Sequence, residues 1–355
     1  MYPIQHCTYG SQATRFEYRA GLAVTAASTL FLLIPTWTWL NRRYNIAEYR
    51  STAGYFRNRG LPYLLLLPTL LLLVIFLYYP ASQMITLSLR ARIFPLPQER
   101  FVCLQNYTLL KDNVIYQNSF TTTLFITVAI VLLSIVLSLV VAVLASQKVK
   151  GADFYRTLLV WPYAISPVVT GVIFLSLFRE GGAGVINWAL NNTLGIQPKW
   201  LRSEDLAPWV IILASVWNVM GFNILFYVAG LQNIPQDLLE AAALDGANRV
   251  QRFVRVTFPL LAPFTFFLLV TNVTFSFYGI YGVVDTLTQG GPPLGPAGSE
   301  GGATNVLINK LYQDGFQSGS PIGQAAAQSL ILFLLVGIMT IVQFRYIERR
   351  VTYGG

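Results

Sequence analysis

The residues whose types and spacing could do chemistry lie in two places. The first is one short stretch. It reads Glu240-Ala241-Ala242-Ala243, then Asp245-Gly246, then Arg249, Arg252 and Arg255 at i, i+3 and i+6, and closes on Val256-Thr257-Phe258-Pro259. One carboxylate beside three methyl side chains makes a smooth surface with a single charged mark, which suits close contact with another protein rather than bond making. The arginines form one stripe on a helix. They read as a solvated or lipid-headgroup face in preference to a protein contact.

The second place is a set of polar side chains inside apolar stretches: Asn218, Asn223, Thr271, Asn272, Thr274, Ser276, Tyr278 and Gln328. Hydrocarbon penalises such groups on an outer face, so they mark either hydrogen bonds between helices or a route for a polar solute. On a helix Asn272 and Ser276 share a face, with Thr271, Thr274 and Tyr278 beside them. As a group they are the candidate translocation pathway.

Neither place holds the parts of an enzyme. No Gly-x-x-x-x-Gly-Lys-Ser/Thr occurs and no lysine follows a glycine, so nothing cradles a triphosphate. His6 is the single histidine, which argues against a metal site. Cys7 and Cys103 read as free thiols, and no nucleophile with an acid-base partner assembles. The apolar stretches also lack the mid-membrane ionisable groups that a secondary transporter would use for coupling.

Composition says what must position these residues. Of 355 residues 54% are hydrophobic and only 11% charged, where a water-soluble domain carries about a quarter. Uncharged windows predict six core transmembrane helices at about 61–79, 118–145, 155–178, 207–231, 259–284 and 325–344, each near the ~20 residues needed to cross hydrocarbon. A seventh apolar segment, Gly21–Leu40, predicts an extra helix in an N-terminal extension, 1–58, ahead of the six-span domain, 59–355. A dispensable anchor and a start assigned too far upstream are the other readings of that extension.

The net charge of +9 sits in short clusters between spans, so it reads as an orientation signal and not as a nucleic-acid surface. Arg42 to Arg59, Lys148 to Arg156, Arg249 to Arg255 and Arg345 to Arg350 fall on one side. That places both ends of the core in the cytoplasm and the N-terminus outside. Between the fourth and fifth spans, Pro235 suits a first helical turn and Asp237 its positive end. Gly246 supplies a left-handed turn, and Pro259 is expected to stop a second short helix. The outer loop 80–117 is expected to hold a short interfacial helix, and the loop 179–206 a turn and a surface helix. The glycine- and proline-rich segment Gly290–Gly302 is expected to be mobile.

The stretch from Glu240 to Pro259 resembles the EAA loop of ABC importer permeases, whose pattern is Glu-Ala-Ala, three residues, Gly, nine residues, then an aliphatic residue, any residue, an apolar residue and Pro. Val256 and Phe258 stand where Ile and Leu are commoner. Leu61-Pro62-Tyr63, Trp161-Pro162-Tyr163 and Thr288-Gln289-Gly290-Gly291-Pro292 are similar to the MalF-like sugar permeases. The ending Val342-Gln343-Phe344-Arg345-Tyr346-Ile347-Glu348-Arg349-Arg350-Val351 is similar to the glycerol-3-phosphate branch of that family. Gly279 departs from it, since many members have Asp there.

The resemblance implies an all-α membrane protein with the six-helix type I importer core, in the bacterial cytoplasmic membrane. It also implies a second EAA-type permease, two ATPase subunits that carry ATP and Mg, and an extracytoplasmic substrate-binding protein. This chain itself would need no cofactor. The loop 232–263 would couple to the ATPase through Glu240, Ala241, Ala242, Ala243, Asp245, Gly246, Arg249 and Pro259. The cargo implied is sn-glycerol 3-phosphate, with another sugar or polyol as the alternative.

Overall fold

The computed structural model describes residues 61–93, 99–146, 151–295, 298, 300–317, 319 and 321–347. The expected N-terminal span, His6, Cys7, Lys148, Lys150 and the last arginines lie outside the described residues. Among the described residues the regular elements are helices apart from one small hairpin. Four helices are long and apolar enough to cross a membrane: Leu65–Ser88, Val114–Ala145, Ala207–Gln232 and Ile322–Arg345. Two further pairs are each bent at a break, so the described residues hold up to six spans.

The chain divides into two compact units. The smaller contains α1 (Leu61–Leu73) and α2 (Tyr79–Ser88), joined by a π turn at Val74–Tyr78. The expected end of this span at residue 79 is corrected to Ser88. Pro80 lacks an N–H and its ring crowds the carbonyl four residues back, and the widened turn accommodates both. Next come β1 (Arg90–Arg92), paired antiparallel with β2 (Glu99–Phe101), and the expected short helix, α3 (Gln105–Lys111). Buried Asn106 ties them together by donating to the Ser88 carbonyl at 2.7 Å and the Arg90 carbonyl at 2.9 Å. The hairpin was not expected, because three-residue charged strands carry no apolar alternation to detect. Cys103, between β2 and α3, is disulfide-bonded, which corrects the expected free thiol. Pairing depends on three-dimensional proximity, which sequence spacing does not report.

The larger unit is built around α8 (Ala207–Gln232), which packs against α4 (Val114–Ala145), α5 (Ala152–Ala164), α6 (Pro167–Phe178) and α12 (Ala262–Tyr278). Helix α4 is capped by Asn113, whose side chain accepts from the Tyr116 amide at 3.0 Å. It turns Ser119, Thr123, Thr127, Ser134, Ser138 and Ala142 inwards, all buried, so backbones approach closely at a face of small side chains. Val128, Leu132, Val136 and Val140 point out, as lipid contact requires.

The expected third span is not one straight helix. α5 and α6 meet at a 100° bend, where Ser166 precedes Pro167 and is therefore extended. Ser166 Oγ caps α6 by accepting from the Val169 amide at 3.4 Å. Gly221 lets α8 touch α5: a Cβ there would lie 2.7 Å from the Val160 carbonyl oxygen. Gly221→Val should therefore destabilise the bundle by about 1–3 kcal/mol through overpacking. The check is a lowered thermal unfolding midpoint in detergent relative to Ala229→Val on the exposed side of the same helix.

The expected surface helix after Arg179 is present as α7 (Val185–Leu194). Asn187 holds it down, donating to the carbonyls of Arg179 and Pro198, each at 3.2 Å, and accepting from Trp200 Nε1 at 2.8 Å. The segment Gly290–Gly302 is not an open linker, contrary to expectation. Leu294 donates to the Gly301 carbonyl at 2.8 Å, and Ala303 to that of Pro292 at 2.8 Å. Thr304 Oγ1 meets Thr288 Oγ1 at 2.6 Å and the Gly291 carbonyl at 2.5 Å. Its glycines serve close backbone approach, which composition alone does not separate from flexibility.

Candidate coupling loop and polar cluster

After α8 the chain forms α9 (Gln236–Leu244), none of whose residues is buried. Its end is a Schellman motif: the Gly246 amide donates to the Ala243 carbonyl at 3.1 Å and the Ala247 amide to that of Ala242 at 3.0 Å. Gly246 has φ +82 as expected, and a Cβ there would meet nothing within 4 Å. The three alanines thus supply acceptors for the turn as well as a smooth surface.

A second device, not anticipated, follows at once. Asn248 Oδ1 accepts from the Gln251 amide at 2.8 Å, while Gln251 Oε1 accepts from the Asn248 amide at 2.9 Å. This capping box fixes the start of α10 (Arg249–Arg252). Its signal, a capping residue followed three positions later by Gln, was legible in the sequence. Two short helices are therefore locked about the four-residue turn Asp245-Gly246-Ala247-Asn248. Glu240, Ala241, Ala243, Asp245 and Arg249 are exposed and Ala242 is half-buried. Leu244, 89% exposed, and Val250, 70% exposed, are large apolar side chains that nothing in the described chain covers.

The expected stop at Pro259 is corrected. A π turn, Phe253–Thr257, absorbs that proline, and the helix continues through α11 (Phe258–Leu260). The break comes at Leu261, where the chain bends by 64° into α12. Pro263 lies just beyond the bend in the first turn of α12, where its missing N–H costs nothing. Leu261 is fully buried against Ala142, Ile224, Tyr227, Val228 and Leu268. The exposed helix pair is thus joined to the bundle core at Leu261, with Ile234 packed on the same cluster.

The intramembrane polar residues fall into separate groups. Asn218 is buried at the α5–α6 break, where its amide donates to the carbonyls of Pro162 at 3.2 Å and Ile165 at 2.9 Å and to Thr170 Oγ1 at 3.0 Å. It satisfies backbone groups that the break sets free. Asn223 and Asn272 are buried and exchange hydrogen bonds of 3.3 and 2.9 Å. Ser134 Oγ approaches Asn272 Oδ1 at 3.4 Å, and the Asn272 amide also reaches the Leu268 carbonyl at 2.6 Å. Ser134 and Thr170 were missed because each looks like an ordinary small residue of an apolar span.

Thr271, Thr274 and Ser276 each bond a carbonyl of their own helix, at 3.0, 2.9 and 2.8 Å. Tyr278 is 61% exposed. Gln328 belongs to the smaller unit, where its amide donates to Asp314 Oδ2 at 2.6 Å.

With this geometry in hand, comparison with known proteins is decisive. The family model described as "binding-protein-dependent transport system inner membrane component" matches residues 134–353, more than half of the chain and the whole of the coupling loop. The chain belongs to this family. The permease is 40% identical over 300 residues to the sn-glycerol-3-phosphate transport system permease protein UgpA of Agrobacterium fabrum, covering 84% of this chain and 98% of the relative. It is 38% identical over 304 residues to the protein of the same name from Shigella flexneri.

Two solved structures match in fold at 22% identity. One is a bacterial ABC transporter involved in the import of the acidic polysaccharide alginate, with a TM-score of 0.69 over 81% of this chain and 95% of that chain. The other is an alginate transporter in complex with a pentasaccharide-bound periplasmic protein, with a TM-score of 0.71 over 83% and 96%. The permease is therefore a multi-pass transport subunit with the importer permease fold, and it is not itself an enzyme.

Proposed function

We propose that this permease forms half of the translocation pathway for sn-glycerol 3-phosphate and takes its driving force from a separate ATPase through residues 232–263. The observation that carries the reading is the exposed helix pair. It is locked by a Schellman turn and a capping box, joined to the core at buried Leu261, and bears uncovered apolar side chains beside Glu240. A cleft on an ATPase would cover Leu244 and Val250, and its closure would move α12 as a lever.

The remaining parts of the machine are a second EAA-type permease, two ATPase subunits binding ATP and Mg, and an extracytoplasmic substrate-binding protein. The basic clusters orient the core with both ends and the coupling loop in the cytoplasm. The cargo is drawn from the relatives' names, supported by identity near 40% over almost their full length.

One observation favours a second reading. The expected fifth and sixth spans contain no lysine or arginine, so a phosphate would have to be met by helix N-termini, hydroxyls or the second permease. An uncharged polyol or sugar would not need those groups. The experiment is uptake of labelled sn-glycerol 3-phosphate into vesicles carrying the complete transporter and its binding protein. Uptake should require ATP and be competed by unlabelled sn-glycerol 3-phosphate. Vesicles that accumulate a neutral sugar or polyol but not the phosphate ester would replace the first cargo with the second.

A further inference from the structure

We propose that Tyr281, Asp285 and Tyr312 form an outer binding station for the hydroxyl groups of a polyol or sugar cargo, at the mouth of a polar stripe that runs along the fifth span. This rests on the transport reading above and deepens it. The station takes the hydroxyl-bearing part of the cargo and not a phosphate.

The stripe is set by helical spacing. The backbone stays helical from α12 through Gly279 and Ile280 into α13 (Tyr281–Leu287). Thr271, Thr274, Tyr278, Tyr281 and Asp285 follow one another by three or four residues, so they share a face. None of the five is buried, whereas Asn272, Ser276, Phe277, Ile280 and Val284 turn inwards. A lipid-facing side would carry apolar side chains instead. The other side of α13 is closed off by packing, since a Cβ on Gly282 would lie 2.9 Å from Val168 Cγ2 of α6. The open face is thus the polar one, and it needs water or a polar solute beside it.

The groups on this face accept more than they donate. Thr271 and Thr274 give their protons to carbonyls of their own helix, at 3.0 and 2.9 Å, which leaves lone pairs to offer. The stripe ends at the exposed carboxylate of Asp285, and among the described residues no basic side chain pairs with it. An ionised carboxylate only accepts. Tyr312, on α14 (Leu307–Phe316), lays its ring against that of Tyr281 with centroids 4.9 Å apart. The Tyr281 hydroxyl lies within reach of both the Asp285 carboxylate and the Tyr312 hydroxyl, so side chains from two helices meet at one point. A polyol or sugar supplies what they lack: hydroxyl protons for the oxygens and C–H edges for the rings. The charged oxygens of a phosphate would meet like charge at Asp285, so that end of a phosphate ester is carried elsewhere.

The test uses the complete transporter with its binding protein in vesicles and reads uptake and stimulated ATP hydrolysis together. The labelled probe is sn-glycerol 3-phosphate. Where wild-type vesicles reject it, sorbitol takes its place, and that rejection overturns the phosphate-ester cargo alone; accumulation of neither would sink the transport reading and the station with it. Asp285→Asn and Tyr312→Phe keep the shape and remove one charged acceptor or one hydroxyl. Each should lower the cargo moved per ATP hydrolysed by about tenfold while stimulated hydrolysis persists. Asp285→Glu, which restores the carboxylate, should recover most of the loss. Glu204→Gln, at an exposed carboxylate away from the stripe, should change neither reading. Wild-type cargo per ATP in both variants would overturn the station. So would a parallel loss of uptake and hydrolysis with a lowered thermal unfolding midpoint, which marks a structural role.

A second arm needs no cargo. Asp285→Cys should react with a small membrane-impermeant thiol reagent added outside, above the level of the parent chain. Failure to react would put this face against lipid or protein and sink the proposal.

Discussion

Gly246→Val and Glu240→Lys permeases should insert and assemble but lose substrate uptake, together with the part of ATP hydrolysis that the binding protein stimulates. At φ +82 a β-branched residue is strained, and the space around Gly246 is open, so the penalty is one of backbone and not of collision. Strain of about 1–3 kcal/mol, placed wholly on the turn, shifts the locked helix pair towards other arrangements by about 5- to 150-fold. Because the Schellman turn ends at Ala247 and the capping box starts at Asn248, distortion at Gly246 also displaces Asn248 and the start of α10.

Asparagine tolerates the left-handed region better than other residues with a Cβ. Uptake should therefore fall in the order Gly, Asn, Ala, Val at position 246. Glu240 is exposed with no buried neighbour on its helix, so its reversal to lysine leaves the fold intact and changes only what is offered to a partner. The measurement is uptake and stimulated hydrolysis in reconstituted vesicles, with basal hydrolysis of the isolated ATPase as the reference. Wild-type uptake in both variants would refute a coupling role for this loop.

Most of that loop was legible in the sequence because its structure is local. Pro235, Asp237 and Gly246 act within a turn of where they stand, and the spacing from Glu240 to Pro259 is set by two short helices. What was misplaced depended on contacts between distant residues. A proline usually ends a helix, yet Pro80 and Pro259 are each absorbed by a π turn, so the first span runs on to Ser88 and the coupling segment bends at Leu261 instead. The break at Ile165–Ser166 could be suspected from Pro162 and Pro167. Its 100° angle is held by Asn218 from another helix, and no local pattern encodes that partner. Glycine-rich Gly290–Gly302 was misjudged for a related reason, since its hydrogen bonds join the two ends of the segment and bring Thr304 back to Gly290 and Gly291, pairings that composition does not report.

The polar residues of the spans pose the sharpest question, and the Asn223–Asn272 pair answers it by experiment. In an apolar window each asparagine could face a solute or a neighbouring helix, and the sequence pattern is the same. In the fold the two side-chain amides are buried and exchange hydrogen bonds. Asn272→Leu should strand the Asn223 amide in apolar surroundings and cost about 1–3 kcal/mol. Asn223→Leu should cost a similar amount by stranding Asn272, although Ser134 and the Leu268 carbonyl still reach it.

Leucine has asparagine's branching and number of side-chain heavy atoms with somewhat greater volume, so the double replacement removes both buried polar groups without opening a cavity. Its cost should fall well below the sum of the two single costs, with a coupling of about 0.5–3 kcal/mol. Thermal unfolding of the four proteins in detergent measures the cycle, and uptake by the same four measures function. If the pair works by packing, uptake in the double variant should recover along with stability. Additive stability costs, or a stable double variant that transports nothing, would show instead that these amides serve the passing solute.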